Sequence, residues 1–152
     1  MAFGNITSAN TIFMLSIATV YPAPVQLREF GVDDAFVAEI FDAAETKIGV
    51  DSYGAGGYRP HEVPMTIRFL ASSDSIVVFE NWYAAQDATT SLYLAAGTIL
   101  MPSIRRQYSC AAGVLQRASA MAEVRRVLAD REFHITWMPQ GPGVPAVSPG
   151  PM

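Results

Sequence analysis

The sequence predicts a mainly β domain with one flanking α-helix. Most of the chain consists of short runs rich in Ile, Val, Thr and Phe, separated by Gly and Pro, which is the pattern of strands joined by turns. Only one stretch, residues 72–90, combines helix-capping residues with apolar residues at helical spacing. A length of 152 residues suits a single domain that can bury a core.

The first predicted strand is the apolar run of residues 11–20. This run is similar to the core of a signal peptide, but no Lys or Arg precedes it and the first basic residue is Arg28. The run is also too short to cross a bilayer as a helix. We therefore expect a strand, no association with a membrane, and a protein that is made in the cytoplasm.

More strands are predicted before the helix. The two prolines in residues 21–25 require a turn or an extended path, since proline fixes φ and lacks an N–H. The stretch from Ala35 suits a strand or a short helix, and we favour the strand. The clearest strand puts Met65, Ile67 and Phe69 on one face. The predicted strands are residues 25–30, 35–43, 45–51 and 64–71.

The predicted helix at residues 72–90 begins at three good N-cap residues and carries one apolar face. Ile76, Phe79 and Tyr83 share that face, and Val78 and Trp82 lie beside it. An aromatic stripe of this kind can line a ligand pocket, but it more often covers a sheet. We predict that this face is buried. The expected caps are Ser72, Ser73 and Asp74.

The part of the chain after the helix predicts more strands and a tail. Residues 91–117 suit two or three short strands, with Gly97 and Gly113 at turns or bulges. A loop or short helix follows, and residues 131–137 form a last strand. The Gly/Pro-rich residues 139–152 are predicted to stay out of the core as an extended or mobile tail. One domain, residues 1–138, is therefore expected.

Composition favours a subunit of an assembly. Hydrophobic residues make up 51% of the chain and charged residues only 16%, so apolar surface must remain exposed on a single copy. A tightly packed monomer is the alternative. The net charge of −4 and the single lysine, Lys47, argue against a protein that grips nucleic acid.

The residues offer little support for catalysis or metal binding. His61 and His134 are the only histidines and lack metal-ligand spacing, and Cys110 is the only cysteine. No serine lies in a G-x-S-x-G turn. Asp33 and Asp34 suit a solvated turn better than an acid–base pair. We expect no enzyme activity, no cofactor and no metal.

The glycine-rich stretch of residues 49–60, GVDSYGAGGYRP, is the most unusual part of the sequence. No Lys follows the glycines and no helix begins there, so it is not a phosphate-binding loop. Tyr53, Tyr58 and Arg59 are residue types that are favoured at protein–protein contacts. We predict that they contact another copy of the chain; an exposed turn is the alternative.

The order of several segments resembles bacteriophage tail tube proteins of the contractile-tail type. The segments are the opening MAFGNITSAN, the stretch from GVDSYGAGGYRP to FENWYAAQ, and the final strand FHITW. The resemblance covers most of residues 1–138. It implies a β-sandwich or partial barrel with a flanking helix, related to the tube subunits of type VI secretion and phage-like bacteriocins.

The resemblance also implies a function. Subunits of that family form hexameric rings that stack into a virion tail tube, the conduit for DNA ejection. The expected partners are other copies, the sheath, tape-measure and baseplate proteins, and DNA that passes without specific binding. For the polar side of the Met65 strand, we expect Arg68 to line the lumen with Glu39 and Asp42 offsetting its charge, or to meet a neighbouring subunit. The alternatives are a tail-terminator or baseplate-hub paralogue, and a monomeric β-rich ligand-binding protein or enzyme.

Overall fold

The computed structural model describes residues 9–30, 35–121 and 123–152. Residues 1–8, at the start of the opening motif, and the pair Asp33–Asp34 lie outside this described part. Within it the fold is mainly β with one helix, as the sequence predicts, and the sheet is not closed into a barrel. The elements are β1 Ile12–Ile17, β2 Tyr21–Gln26, β3 Phe36–Ala38, β4 Ala44–Ile48, β5 Gly54–Tyr58, β6 Val63–Phe69, α1 Ser75–Thr89, β7 Ala95–Met101, a 3₁₀ turn Pro102–Ile104, β8 Arg106–Ala118, β9 Arg131–Trp137 and β10 Val147–Pro151.

The large sheet is antiparallel and strongly curled. Its order is β2-β1-β7-β8-β9-β6-β3, and β10 pairs with the first half of β8. Phe13 on β1 meets Phe36 on β3 edge to face at 5.3 Å, although these strands lie near opposite ends of the order. The sheet therefore wraps around its own inner face. Strands β4 and β5 form a separate two-stranded ribbon.

Helix α1 covers one end of the inner face of the sheet. Phe79 stacks on Phe133 at 4.7 Å and packs against Phe69 at 5.4 Å. Ile76 and Phe79 of the predicted face are buried, while Tyr83 is half-buried and its hydroxyl donates to the Ala120 carbonyl. Aromatic contacts between helix and sheet thus build the centre of the core.

The start of the helix differs from the prediction. Asp74 is the N-cap residue, but its side chain caps no backbone N–H. The Ser73 hydroxyl instead accepts from the Ser75 N–H and donates to the Arg28 carbonyl. The Ser75 hydroxyl accepts from the Arg28 N–H at 2.8 Å. Two buried serines therefore tie the helix start to the segment after β2.

A buried charge ties the helix to the sheet as well. Arg131 on β9 is only 5% exposed, and its guanidinium donates to the Glu80 carboxylate of α1. The same guanidinium lies over the Phe133 ring at 5.2 Å and donates to the Ser119 carbonyl. The pairing and hydrogen bonds offset the cost of removing this charge from water.

Two glycines of the sheet allow a tryptophan to lie flat against it. A Cβ on Gly113 would lie 2.6 Å from the Trp137 ring, and one on Gly97 would lie 3.2 Å from it. The sequence placed both glycines at turns or bulges. Both glycines border an irregularity in the β7–β8 register, where Ala95 pairs with Gly113 and Gly97 with Cys110, so β8 holds one extra residue there. Close packing of Trp137 explains Gly113.

The prediction that the C-terminal tail stays out of the core is wrong. Ala146 is buried, and β10 pairs with β8 from Val147↔Cys110 to Pro151↔Arg106. The Met152 N–H donates to the Arg105 carbonyl, so alternate residues of β10 point their N–H toward β8. Pro149 and Pro151 occupy the other positions, where no N–H is needed. The tail is extended, and the domain boundary at residue 138 stays a prediction.

The second strand also differs from the prediction. Its bounds are Tyr21–Gln26 rather than residues 25–30, and the prolines run extended within it. Among the residues that the structure describes, β2 pairs only with β1 and lies at an edge of the sheet. An edge tolerates Pro22 and Pro24 because the N–H groups on its free side need no partner within the chain.

Candidate subunit interface

Residues 39–60, called the arm below, project from the sheet between β3 and β6. Every one of these residues is exposed. Within the arm β4 and β5 pair from Ala44↔Tyr58 to Ile48↔Gly54. Neither strand pairs with the large sheet, so both faces of this ribbon are open to solvent.

The tip of the arm, residues 48–53, is an ordered turn. The Gly49 N–H donates to the Tyr53 carbonyl at 2.9 Å, and the Ser52 N–H donates to the Gly49 carbonyl at 3.0 Å. The Asp51 carboxylate accepts from the Tyr53 N–H at 3.4 Å and would meet a Cβ on Gly49 at 2.6 Å. Glycine at position 49 therefore leaves room for the Asp51 carboxylate in this turn. Hydrogen bonds fix the tip before it meets any partner.

The remaining glycines of the arm serve no steric need within this chain. Gly54, Gly56 and Gly57 lie in extended backbone in β5, and the positive φ of the turn belongs to Ser52. A Cβ on Gly54 or Gly57 would meet no atom within 4 Å, and one on Gly56 would make only ordinary contacts. Glycine weakens a strand, and it often marks close approach by another backbone. The strand presents a nearly flat surface.

The arm also carries the three predicted contact residues. Tyr53 and Tyr58 are 77% and 79% exposed. Arg59 makes ion pairs inside the arm, at 3.0 Å to Asp42 and 3.8 Å to Glu45. Both tyrosines are thus largely open to solvent, although the Tyr58 ring meets the His61 ring edge to face at 6.4 Å. Arg59 joins the two sides of the arm near its base.

Three further exposed apolar residues of the arm were missed as contact candidates. Ile40, Ile48 and Val50 are each at least 81% exposed. Nothing in the sequence indicated their exposure, because Thr46, Ile48 and Val50 alternate with polar residues and one glycine and so resemble the buried face of an ordinary strand. Large apolar side chains that cluster on one projection mark a partner surface.

The structure changes the expected partners of Arg68. Its guanidinium donates to Glu132 of β9 at 3.2 Å, and neither Glu39 nor Asp42 offsets its charge. Arg68 and Glu132 form this ion pair because they lie directly opposite each other on the neighbouring strands β6 and β9. Glu132 also contacts His134 at 2.7 Å. A polar row therefore lies on the outer face of β6 and β9.

A cavity opens inside the curl of the sheet, beside the base of the arm. Helix α1 covers the Phe69 end of the inner face, and the cavity lies at the Val63 end. It has a volume of about 440 Å³ and almost wholly apolar walls. The lining residues are Phe36, Ala38, Glu39, Phe41, His61, Val63, Met65, Ile99, Met101, Tyr108, Pro145, Val147 and Pro149.

No catalytic or metal-binding group emerges from the geometry of the described residues. Across residues 9–30, 35–121 and 123–152, no three His, Cys, Asp or Glu side chains are placed to hold a metal ion. Burial raises the pKa of the Cys110 thiol to about 12, which keeps it protonated and unreactive. In the same part of the chain, the helix is too short and too polar to span a bilayer.

The fold is mainly β with an exposed two-stranded arm, and comparisons with known proteins identify its family. The family model described as tail fiber protein gp32 matches residues 4–140. The chain therefore belongs to this family and is a structural component of a phage-type tail. No curated protein matches the sequence.

Two solved structures share the fold. One is a chain of the tube-terminating cap of the anti-feeding prophage, with a TM-score of 0.55, 6% identity, and coverage of 100% of this chain and 95% of that one. The other is a chain of the baseplate of the same particle, with a TM-score of 0.57, 8% identity, and coverage of 99% and 98%. Because the sequence identities are so low, these similarities establish the fold and nothing more.

Proposed function

We propose that the chain is a ring-forming subunit of a tail tube, and that six copies form each ring of a stacked conduit for DNA. Membership of the tail protein family supports a structural role in a tail. The resemblance of the sequence to tube proteins supports the hexameric ring. In this role the protein resides in the virion, with the sheath, tape-measure and baseplate proteins as further partners.

The observation that carries this proposal is the arm. Residues 39–60 carry a two-stranded ribbon in which every residue is exposed, including Tyr53, Tyr58, Ile48 and Val50. A two-stranded ribbon is marginally stable alone, and contact with other copies would bury these side chains. Tyr53, Tyr58 and Arg59 are the proposed contact residues between subunits or rings.

The outer face of β6 and β9 is the proposed lining of the conduit. Arg68 there is paired with Glu132, so a ring of six arginines would be matched by six carboxylates. The face would then be close to neutral and would let DNA slide past, because tight binding needs unpaired cations. Weak, salt-insensitive DNA binding by assembled rings is expected.

A tail-terminator or baseplate role is the second candidate. The solved chains that share the fold belong to a tube-terminating cap and to a baseplate. A terminator forms a single ring that does not stack, whereas a tube subunit propagates. Particle length therefore separates the two roles.

The test replaces all three proposed contact residues by serine. We expect the Tyr53→Ser, Tyr58→Ser, Arg59→Ser variant to keep its circular dichroism spectrum and melting temperature, because none of the three is buried. Its sedimentation should show monomers where the parent shows rings. The matched control replaces the exposed residues Leu92, Val124 and Val127 by serine and should assemble. Normal assembly of the arm variant would refute the proposed contact.

A further inference from the structure

The apolar cavity beside the arm is shaped to receive part of another chain. Its walls come from β3, β6, β7, β8 and the segment that leads into β10. Glu39 is the only acidic or basic residue among them apart from His61. This cavity is called the socket below. Its volume of about 440 Å³ accommodates a few apolar side chains of an incoming segment.

The wall formed by β10 restricts how a segment can enter. Pro149 and Pro151 occupy the positions whose N–H would point away from β8, so the free edge of β10 lacks donors there. A new strand therefore cannot add to this edge with a full ladder of hydrogen bonds. The occupant of the socket is expected to bind through side chains rather than by extending β10.

The tip of the arm cannot reach the socket of its own chain. Phe41 and His61, which lie at the base of the arm, line the socket and stack on each other at 3.9 Å. Five paired residues at about 3.3 Å each carry the tip roughly 17 Å from this base. The β4–β5 ladder would have to break for the tip to fold back.

The tip of a second copy matches the socket in chemistry. Ile48 and Val50 are at least 81% exposed and supply apolar side chains on an ordered turn. Next to them lies Lys47, the only lysine of the chain. Among the described residues neither Lys47 nor Glu39 makes an ion pair. The charges on the tip and on the socket wall are thus opposite and free to meet.

We propose that the tip of each arm inserts into the socket of a second copy, with Ile48 and Val50 in the apolar cavity and Lys47 against Glu39. The inference rests on the proposed function, in which the arm drives assembly, and names the surface that receives it. The contact is head to tail, because tip and socket are different surfaces of one chain. Such contacts propagate until a ring closes or a filament forms.

The first experiment separates the two halves of the contact. Val50→Asp places a charge on the tip, and Ala38→Trp fills the socket from an exposed position on β3. Each variant alone should remain monomeric by sedimentation. An equimolar mixture should form one-to-one dimers and nothing larger, since it contains one intact tip and one intact socket per pair. Each defect should weaken self-association at least about 30-fold, as for an interface hot spot.

Each matched control introduces the same new side chain at a position outside the tip and the socket. Val37→Trp adds the same ring on the opposite face of β3, where register pairs Val37 with Thr66 of the polar face. Val124→Asp adds the same charge at another exposed valine. Both controls should assemble as the parent does, and circular dichroism melts should show that all four variants are folded.

A charge swap tests the proposed ion pair. Glu39→Lys and Lys47→Glu should each weaken self-association about tenfold, and the double variant should restore it. Glu62→Lys is the control, because Glu62 is exposed near the arm base but does not line the socket. Failure of the double variant to recover would overturn the pairing.

The outcomes distinguish this inference from the proposed function. If Val50→Asp blocks assembly and Ala38→Trp does not, the arm drives assembly but docks elsewhere, and the socket proposal is wrong. If neither variant blocks assembly, the socket proposal is wrong while the ring-forming role stands. If the parent itself stays monomeric, both proposals fall. A mixture that remains monomeric, or one that restores rings, also contradicts the head-to-tail contact.

Discussion

The β6–β9 half of the molecule and the arm are both built from antiparallel strand pairs, but the first buries its side chains and the second exposes them. In the first, Met65, Ile67 and Phe69 form one buried face with the β9 side chains, and α1 closes over its end. In the arm, β4 and β5 pair just as regularly, yet every residue is exposed. The first region is explained by its own chain. The second leaves large apolar side chains on the surface, and for this reason we propose a partner for it.

The largest expected effect lies in the packed half. Phe79→Ala should lower the free energy of unfolding of the monomer by about 3–5 kcal/mol, because it leaves a cavity against Phe69 and Phe133. Tyr58→Ala in the arm should change it by less than about 0.5 kcal/mol. Urea unfolding at a concentration where both stay monomeric measures the difference. Equal losses would erase the contrast between the two regions.

The next effect tests the charge beneath the helix. Glu80→Gln removes the carboxylate partner of the buried Arg131 and should cost about 3 kcal/mol, since the guanidinium keeps its charge with uncharged hydrogen-bond acceptors and one aromatic ring to offset it. Glu45→Gln in the arm removes an exposed partner of Arg59 and should cost at most about 1 kcal/mol. Thermal melts of the two variants give the comparison. Similar melting temperatures would contradict it.

A smaller effect follows from the raised thiol pKa. The folded chain holds the Cys110 proton up to about pH 12, whereas the unfolded chain releases it near pH 9.0. Stability from this group is therefore complete below pH 9 and is lost as the pH rises toward 12. Between pH 8 and pH 10 the parent should lose about 1.4 kcal/mol more than Cys110→Ala. Parallel losses in urea titrations would show that the thiol is not desolvated.

The smallest effect on stability is expected at the flat strand of the arm. Gly54→Val and Gly57→Val meet no atoms and add a strand-favouring residue, so the monomer should melt at the same temperature or slightly above the parent. Gly113→Ala, in contrast, would clash with Trp137 and should destabilise the fold. If the valines leave assembly intact, no other backbone approaches β5 closely.

The strands and the helix were predictable where burial sets the pattern. The alternation of Met65, Ile67 and Phe69 and of Phe133, Ile135 and Trp137 indicated one buried face, and the structure buries these side chains. The end of the chain was not predictable in this way. The number of prolines does not show that the nitrogens of Pro149 and Pro151 point away from β8. That direction is set by the register of β10 against β8.

The candidate site was predicted only in part for the same reason. Residue type led to Tyr53, Tyr58 and Arg59, and residue type alone missed Ile48 and Val50 because exposure is a property of the folded chain. The ion-pair partner of Arg68 could not be predicted from the sequence either. Glu132 is 64 residues away in sequence, and only the β6–β9 register brings it opposite.

Electron microscopy of the purified full-length parent tests the central claim most directly. The account predicts rings with six-fold symmetry that stack into tubes with a central channel. Beside it, the Tyr53→Ser, Tyr58→Ser, Arg59→Ser variant should show only small single particles. Parent protein that remains as monomers at high concentration, or rings that form equally well from the arm variant, would contradict the claim that the arm exists to join one copy to the next.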